Sequence, residues 1–154
     1  MNGWKGALAK NWTFTNAIVV GSGIPLTPTV ANLVAKGTGI TGTVRADVTG
    51  LPIYAAPEGL YLNPAAFVAP PAGEWGDSGR NIITGPMQFS LNSSFGRVFR
   101  FGERRSADLR FDSNNVLNHV NYTSWNTTVG NQQFGLPISA NAMRTVQATL
   151  RFRF

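Results

Sequence analysis

Residues 144–154 read RTVQATLRFRF, and this stretch constrains the fold more than any other part of the chain. Val146, Ala148, Leu150, Phe152 and Phe154 alternate with Thr145, Gln147, Thr149, Arg151 and Arg153. A strict period of two puts successive side chains on opposite sides of a strand, here one apolar and one polar. Chain ends fray in water unless something ties them down. An end carrying Phe, Arg and Phe needs an apolar surrounding on one side and a polar one on the other. A sheet packed on a soluble core meets that need, and so does a strand in a membrane barrel.

Three further stretches alternate in the same way. In NWTFTNAIVV, residues 11–20, Trp12, Phe14, Ile18 and Val20 share parity, although Asn16 interrupts the apolar side. In MQFSLNSSFGRVFRF, residues 87–101, Met87, Phe89, Leu91, Phe95, Phe99 and Phe101 share parity, while Ser93, Arg97 and Val98 fall off the pattern. In RSADLRFDS, residues 105–113, Ala107, Leu109 and Phe111 oppose Asp108, Arg110 and Asp112. Sustained helical spacing is absent; VANLVAK, residues 30–36, is the one place where a helical turn or two is expected. The fold class is therefore all-β, with antiparallel amphipathic strands. The chain is treated as a single region, 1–154, with strands at about 11–20, 87–101, 105–113 and 144–154 and long loops at about 21–86 and 114–143.

Those loops separate the two environments. The second and third strands join through a tight turn at Gly102-Glu103, whereas the loops over 21–86 and 114–143 are rich in Gly, Pro, Thr, Ala and Asn. Loops that long are uncommon in compact soluble domains, but membrane barrels pair short periplasmic turns with long external loops. If the last strand ends at the periplasm, every short turn falls inside and every long loop outside. Trp12, Phe14, Phe99, Phe101, Phe152 and Phe154 then share the periplasmic end as an aromatic girdle, and Tyr122 and Trp125 lie near the outer end. Asp108, Arg110, Asp112, Gln147 and Arg151 face the lumen. Hydrophobic residues are 43% of the chain, enough for a core, and charged residues only 13%, roughly half the usual share of a soluble domain.

The net charge of +6 raises nucleic acid as a partner. That function wants clustered basic groups, but Arg97, Arg100, Arg104, Arg105, Arg110, Arg144, Arg151 and Arg153 are interleaved with strand residues, so no nucleic acid is expected. No run approaches the roughly 18 apolar residues of a transmembrane helix. The opening MNGWKGALAK lacks the apolar run of a signal peptide, so no export signal is expected within this chain.

Three blocks of sequence carry a family resemblance: NWTFTNAIVVGSGIPLTPTV (11–30), GRNIITGPMQFSLNSSFGRVFRFGERRSADLRFDSNNVLNHVNY (79–122) and FGLPISANAMRTVQATLRFRF (134–154). The strand followed by Ser22-Gly23-Ile24-Pro25, the arginine-rich turn, the strand leading into Asn115 to His119, and the alternating end in Phe resemble the C-terminal end of TonB-dependent outer-membrane receptors. The similarity is to the large branch with a carboxypeptidase-regulatory-like N-terminal domain, the Oar-like branch. The resemblance implies the cell outer membrane as location and a large nutrient, such as a chelated metal or a glycan, as cargo. It implies membrane lipid, the remaining barrel strands and the outer-membrane assembly machinery as partners, with TonB met only through parts of a longer parent. Such barrels have roughly 22 strands, so four strands leave two edges unpaired and are not expected to transport alone. The resemblance also implies that Leu150, Phe152 and Phe154 form a C-terminal assembly signal, read by strand addition to a sheet edge; filling the girdle is the alternative role of Phe154. The competing reading of the whole chain is a secreted, extracellular structural or adhesive β-protein that self-associates through its strand edges.

Residues that could carry chemistry are few. GTGITG, residues 37–42, matches a dinucleotide fingerprint, but TVRADVTGLP after it is no helix, so loop glycine is the better reading. His119 is the single histidine and there is no cysteine, so no metal site is expected, and a turn hydrogen bond beside Asn118 and Asn121 fits it better. No GxSxG occurs. Asp108 and Asp112 could be paired as in glycoside hydrolysis, but Arg110 between them favours a charge ladder. The sequons at Asn92, Asn121 and Asn126 read as chance. No enzyme activity, no catalytic residues and no cofactor are expected.

Overall fold

The computed structural model describes residues 10–35 and 40–154. The first nine residues of the opening stretch, and 37–39 of GTGITG, lie outside the described residues. The chain is all-β. Its strands are β1 (Trp12–Gly21), β2 (Pro25–Leu26), β3 (Thr29–Ala35), β4 (Ile40–Arg45), β5 (Asp47–Val48), β6 (Phe67–Val68), β7 (Ile83–Thr84), β8 (Gln88–Phe101), β9 (Arg105–Asn114), β10 (Tyr122–Trp125), β11 (Pro137–Ala140) and β12 (Thr145–Arg153). The one helical element among the described residues is a single 3-10 turn, Pro64–Ala66, capped by the Asn63 side chain, which accepts from the Ala65 N–H.

The chain divides into two compact units. Of the described residues the first holds 10–20, 89–121 and 142–154, and its heart is an antiparallel sheet in the order β1-β8-β9-β12. The strands start and stop within a residue or two of where the alternation places them. Phe101 pairs with Arg105 across the hairpin. Gly102 turns the chain at φ +81, a conformation that costs any residue with a Cβ.

The second unit holds 21–35, 40–88 and 122–141 of the described residues. Its strands are short and pair as β2 with β7, β3 with β4, β5 with β6 and β10 with β11. Sequence reading places long loops at about 21–86 and 114–143, which cover this unit. Short strand pairs do form, and they enclose a hydrophobic core that the reading does not anticipate. Leu62 and Ile83 are fully buried, with Val30, Val44, Ala46, Ala66, Phe67 and Phe134 around them. The two long segments meet in this unit: the Thr29 N–H donates to the Thr127 carbonyl, and the Val129 N–H to the Thr29 carbonyl.

Two expectations are corrected here. VANLVAK is not helical; 30–35 lie in β3, paired with β4. Two turns of helix cannot repay helix nucleation without a packed partner, and β-branched Val30 fits a ladder better. Trp125, placed by sequence near an outer aromatic girdle, is only 8% exposed. Its ring lies 5.0 Å from Tyr61 and 5.2 Å from Tyr122, so it belongs to the core of this unit and is not available to lipid.

The turn after β1 explains its glycine. A Cβ on Gly23 would lie 1.6 Å from the Gly85 carbonyl oxygen, because the Gly85 N–H donates to the Ile24 carbonyl at 2.9 Å and draws the two backbones together. Only glycine fits that approach, and Pro25 then begins β2.

Candidate functional site: the two faces of the four-stranded sheet

Register fixes which side chains share a face. Leu150 lies opposite Leu109, Ala148 opposite Phe111 and Phe152 opposite Ala107. On the other flank of β9, Phe95 lies opposite Phe111 and Phe99 opposite Ala107. Trp12 stacks on Phe95 at 4.6 Å between ring centroids, and Phe14 meets the same ring edge-on. One apolar surface therefore runs across all four strands. It is not a buried core: Phe14, Ile18, Val20, Phe101, Leu150 and Phe152 are each about 60% exposed or more. Water penalises such a contiguous apolar patch, and soluble proteins rarely carry one this large.

The opposite face is polar in the same register. Arg151 lies opposite Asp108, Thr149 opposite Arg110 and Gln147 opposite Asp112. Arg110 donates to Asp112 through Nη2 at 2.7 Å and Nε at 2.8 Å, and Nε also reaches the Ser94 hydroxyl at 3.1 Å. These groups line two hollows, one bounded by Asp108, Arg110, Asp112, Gln147, Thr149 and Arg151, the next by Thr13, Thr15, Ser94, Gly96, Arg97, Val98, Asp108 and Arg110. Hollows on the polar side are what a sheet curved around a wet interior presents. Asp108 and Asp112 sit on one face four residues apart, about 13 Å along a strand.

The girdle residues divide by strand. Phe99, Phe101 and Phe152 occupy the hairpin end of the sheet, and Phe154 follows β12 almost fully exposed. Trp12 and Phe14 sit with Phe95.

The other end of β8 and β9 holds an asparagine cluster that sequence reading touches only at His119. Asn115 and Asn118 take φ +50 and +53, a left-handed conformation that asparagine tolerates better than most residues. The buried Asn115 amide accepts from the His119 N–H at 3.0 Å and donates to the His119 carbonyl at 2.8 Å. The turn hydrogen bond expected at His119 is present, and its partner is Asn115. Asn121, also buried, accepts from the Phe89 N–H at 2.9 Å and donates to the Phe89 carbonyl at 2.7 Å, taking the place of a neighbouring strand. Asn92 accepts from the Asn115 N–H, and Asn118 from the Arg144 N–H. The amides of Asn92 and Asn121 are thus engaged within the fold. The signal was available as the density of Asn in SNNVLNHVNY at a strand end. Among the described residues, no cluster of His, Asp and Glu is arranged to hold a metal ion.

An antiparallel sheet with one continuous, uncovered apolar face and one charged, hollowed face is a membrane-spanning segment of a β-barrel. Over residues 1–147 the chain matches the family described as "Outer membrane beta barrel domain", and it belongs to that family. Its location is accordingly the outer membrane. No curated protein and no solved structure matches it.

Proposed function

We propose that the chain is the C-terminal barrel portion of a TonB-dependent outer-membrane receptor of the carboxypeptidase-regulatory-like branch, and that it does not transport alone. What carries this reading beyond a barrel of any kind is the pairing of two sequence marks with two built turns. The Ser22-Gly23-Ile24-Pro25 turn holds the close backbone approach at Gly85. The 115–119 turn holds β8 through Asn92 and Asn121. Both occur in the order the receptors have them.

In this reading the 102–104 turn lies at the periplasmic end of the strands, and the long segments leave from the outer end. The apolar face meets lipid, and Asp108, Arg110, Asp112, Gln147 and Arg151 face the lumen. The free edges of β1 and β12 pair with further barrel strands, since an unpaired backbone edge in lipid costs several kcal/mol per group. Leu150, Phe152 and Phe154 serve recognition by the assembly machinery, and TonB acts elsewhere on the parent. The cargo is a large nutrient, and the role is binding and passage with no catalysis.

The genomic DNA upstream of Met1 tests the proposal. A continuing frame encoding a plug domain and further alternating strands supports it. A stop codon just upstream, with the chain assembling in outer membranes as copies of itself, overturns the receptor reading and favours self-association through the strand edges.

A further inference from the structure

In the second unit the segment 75–81 is stitched onto the end of β4. The Ser78 N–H donates to the Ala46 carbonyl at 3.0 Å, and Arg45 Nη1 donates to the Ser78 carbonyl at 2.9 Å. The Asn81 N–H donates to the Thr27 hydroxyl at 2.9 Å. At Gly76 the chain passes so close to β4 that a Cβ would lie 2.0 Å from the Arg45 carbonyl oxygen, and only glycine allows that approach. These contacts hold Trp75 and Arg80 beside Arg45 and Thr43, and with Thr27 the four line a hollow of about 410 Å³.

The lining is chemically uneven. Trp75 is 54% exposed and, among the described residues, takes no ring contact or hydrogen bond. Neither Arg45 nor Arg80 has a carboxylate partner among the described residues. The acids nearest to them in sequence are spent on backbone instead: Asp47 accepts from the Asp77 N–H at 2.8 Å, and Asp77 from the Val48 N–H at 2.9 Å. Arg80 makes no hydrogen bond within the described residues, and Arg45 spends one N–H on Ser78. Two uncompensated cations in one hollow raise the local concentration of anions, and an uncovered indole face beside them offers apolar area to a ring.

We propose that this hollow binds a carboxylate borne on a six-membered ring. Arg80 and the remaining N–H groups of Arg45 take the carboxylate, whose two oxygens match a planar guanidinium fork. The Trp75 indole takes the face of the ring. A uronic acid and an aromatic acid both carry that chemistry. The binding rests on the geometry of the second unit alone; its use as a first contact for cargo outside the membrane rests on the receptor reading.

Calorimetric titration of the full chain, folded in detergent micelles, tests it. Trigalacturonate and benzoate are the two ring carboxylates, acetate and inorganic phosphate are anions without a ring, and the methyl ester of trigalacturonate is the ring without the charge. Saturable binding of trigalacturonate or benzoate, about five-fold tighter than acetate, is expected, and whichever of the two binds identifies the source. Arg80→Gln should weaken that binding about ten-fold, the worth of a charged hydrogen-bond donor. Arg80 has no hydrogen bond within the described residues to lose, so this variant keeps its fold. Trp75→Ala should bring the ring carboxylate down to the level of acetate.

Acetate or phosphate binding as tightly as both ring carboxylates overturns the role of the ring, and the ester binding as tightly as the acid overturns the role of the charge. No binding of any probe, or an unchanged affinity in Arg80→Gln, overturns the site itself. None of these results touches the receptor reading, which stands or falls on the reading frame upstream of Met1.

Discussion

Replacing Leu150 with Arg separates a lipid-facing sheet from one that merely lacks cover. Leu150 is 57% exposed in the chain and lies in a row with Leu109 and Arg97. If its surroundings are water, Leu150→Arg falls within about 0.5 kcal/mol of wild type, as exposed substitutions usually do. If they are lipid, depth decides the cost. Leu150 is four residues from Phe154, about 13 Å along the strand. A tilt of 35–45° reduces that to about 10 Å along the membrane normal, near the middle of an apolar band roughly 25 Å tall. An arginine there costs about 2–4 kcal/mol, with snorkelling toward the Phe154 end drawing the value to the lower part of that range. The matched control is Gln147→Arg, three residues away on the other face and opposite Asp112. There a new cation meets a carboxylate, and the change should stay within about 0.5 kcal/mol. Urea unfolding of the assembled barrel in phosphatidylcholine vesicles, followed by tryptophan emission, measures both. A cost of at least about 2 kcal/mol at 150 beside a near-zero change at 147 is expected. Equal effects in the two variants, or a larger loss at 147, would refute the assignment of faces.

Other positions give sharper, local tests. Gly23→Ala sets a Cβ 1.6 Å from the Gly85 oxygen; the strands must part, and 21–88 should become readily cleaved by protease while β8 and β9 stay protected. Gly102→Val keeps open space around the new side chain, so its cost should be the left-handed backbone alone, about 1–2 kcal/mol in urea unfolding. Asn121→Ala removes both partners of the Phe89 backbone and should cost about 1–3 kcal/mol, with faster amide exchange at Phe89. Tyr61 lies in the second unit, where burial, then the neighbouring Tyr54, raise its phenol pKa above the ordinary value. Its protonated hydroxyl donates to the Thr84 carbonyl at 2.9 Å. That contribution is whole below the ordinary tyrosine pKa near 10 and is lost as pH climbs through the raised folded value. Absorbance at 295 nm should show a late-titrating component that Tyr61→Phe removes.

What could be read from sequence followed the range of the contacts involved. The ends of β1, β8, β9 and β12 were legible because a strand with one apolar side writes its period locally, residue by residue. The core of the second unit was not. Leu62, Ile83 and Phe134 converge from segments far apart in the chain, in strands too short to show a period. The same blindness misplaced Trp125, since nothing near it in sequence names Tyr61 as its neighbour. The asparagine cluster lies between these cases. Its positive φ angles at 115 and 118 are a local preference of asparagine, but the pairing of Asn121 with Phe89 spans 32 positions.

The two faces of the sheet also explain where its charges were allowed to fall. On the polar face a carboxylate finds water and an arginine, as Asp112 finds Arg110, so both signs are tolerated and the ladder alternates. On the apolar face a charge needs a long stem and partners other than water. Arg97 has both: it lies in the row of Leu109 and Leu150, and its guanidinium carbon sits 4.9 Å from the Trp12 ring centre and 4.6 Å from that of Phe99. An aspartate there would have one methylene of reach, and the negative faces of the same rings would oppose its charge. The off-pattern residue of β8 is thus a cation set between aromatic rings, so the break in alternation at 97 follows from the same apolar surroundings that set the alternation.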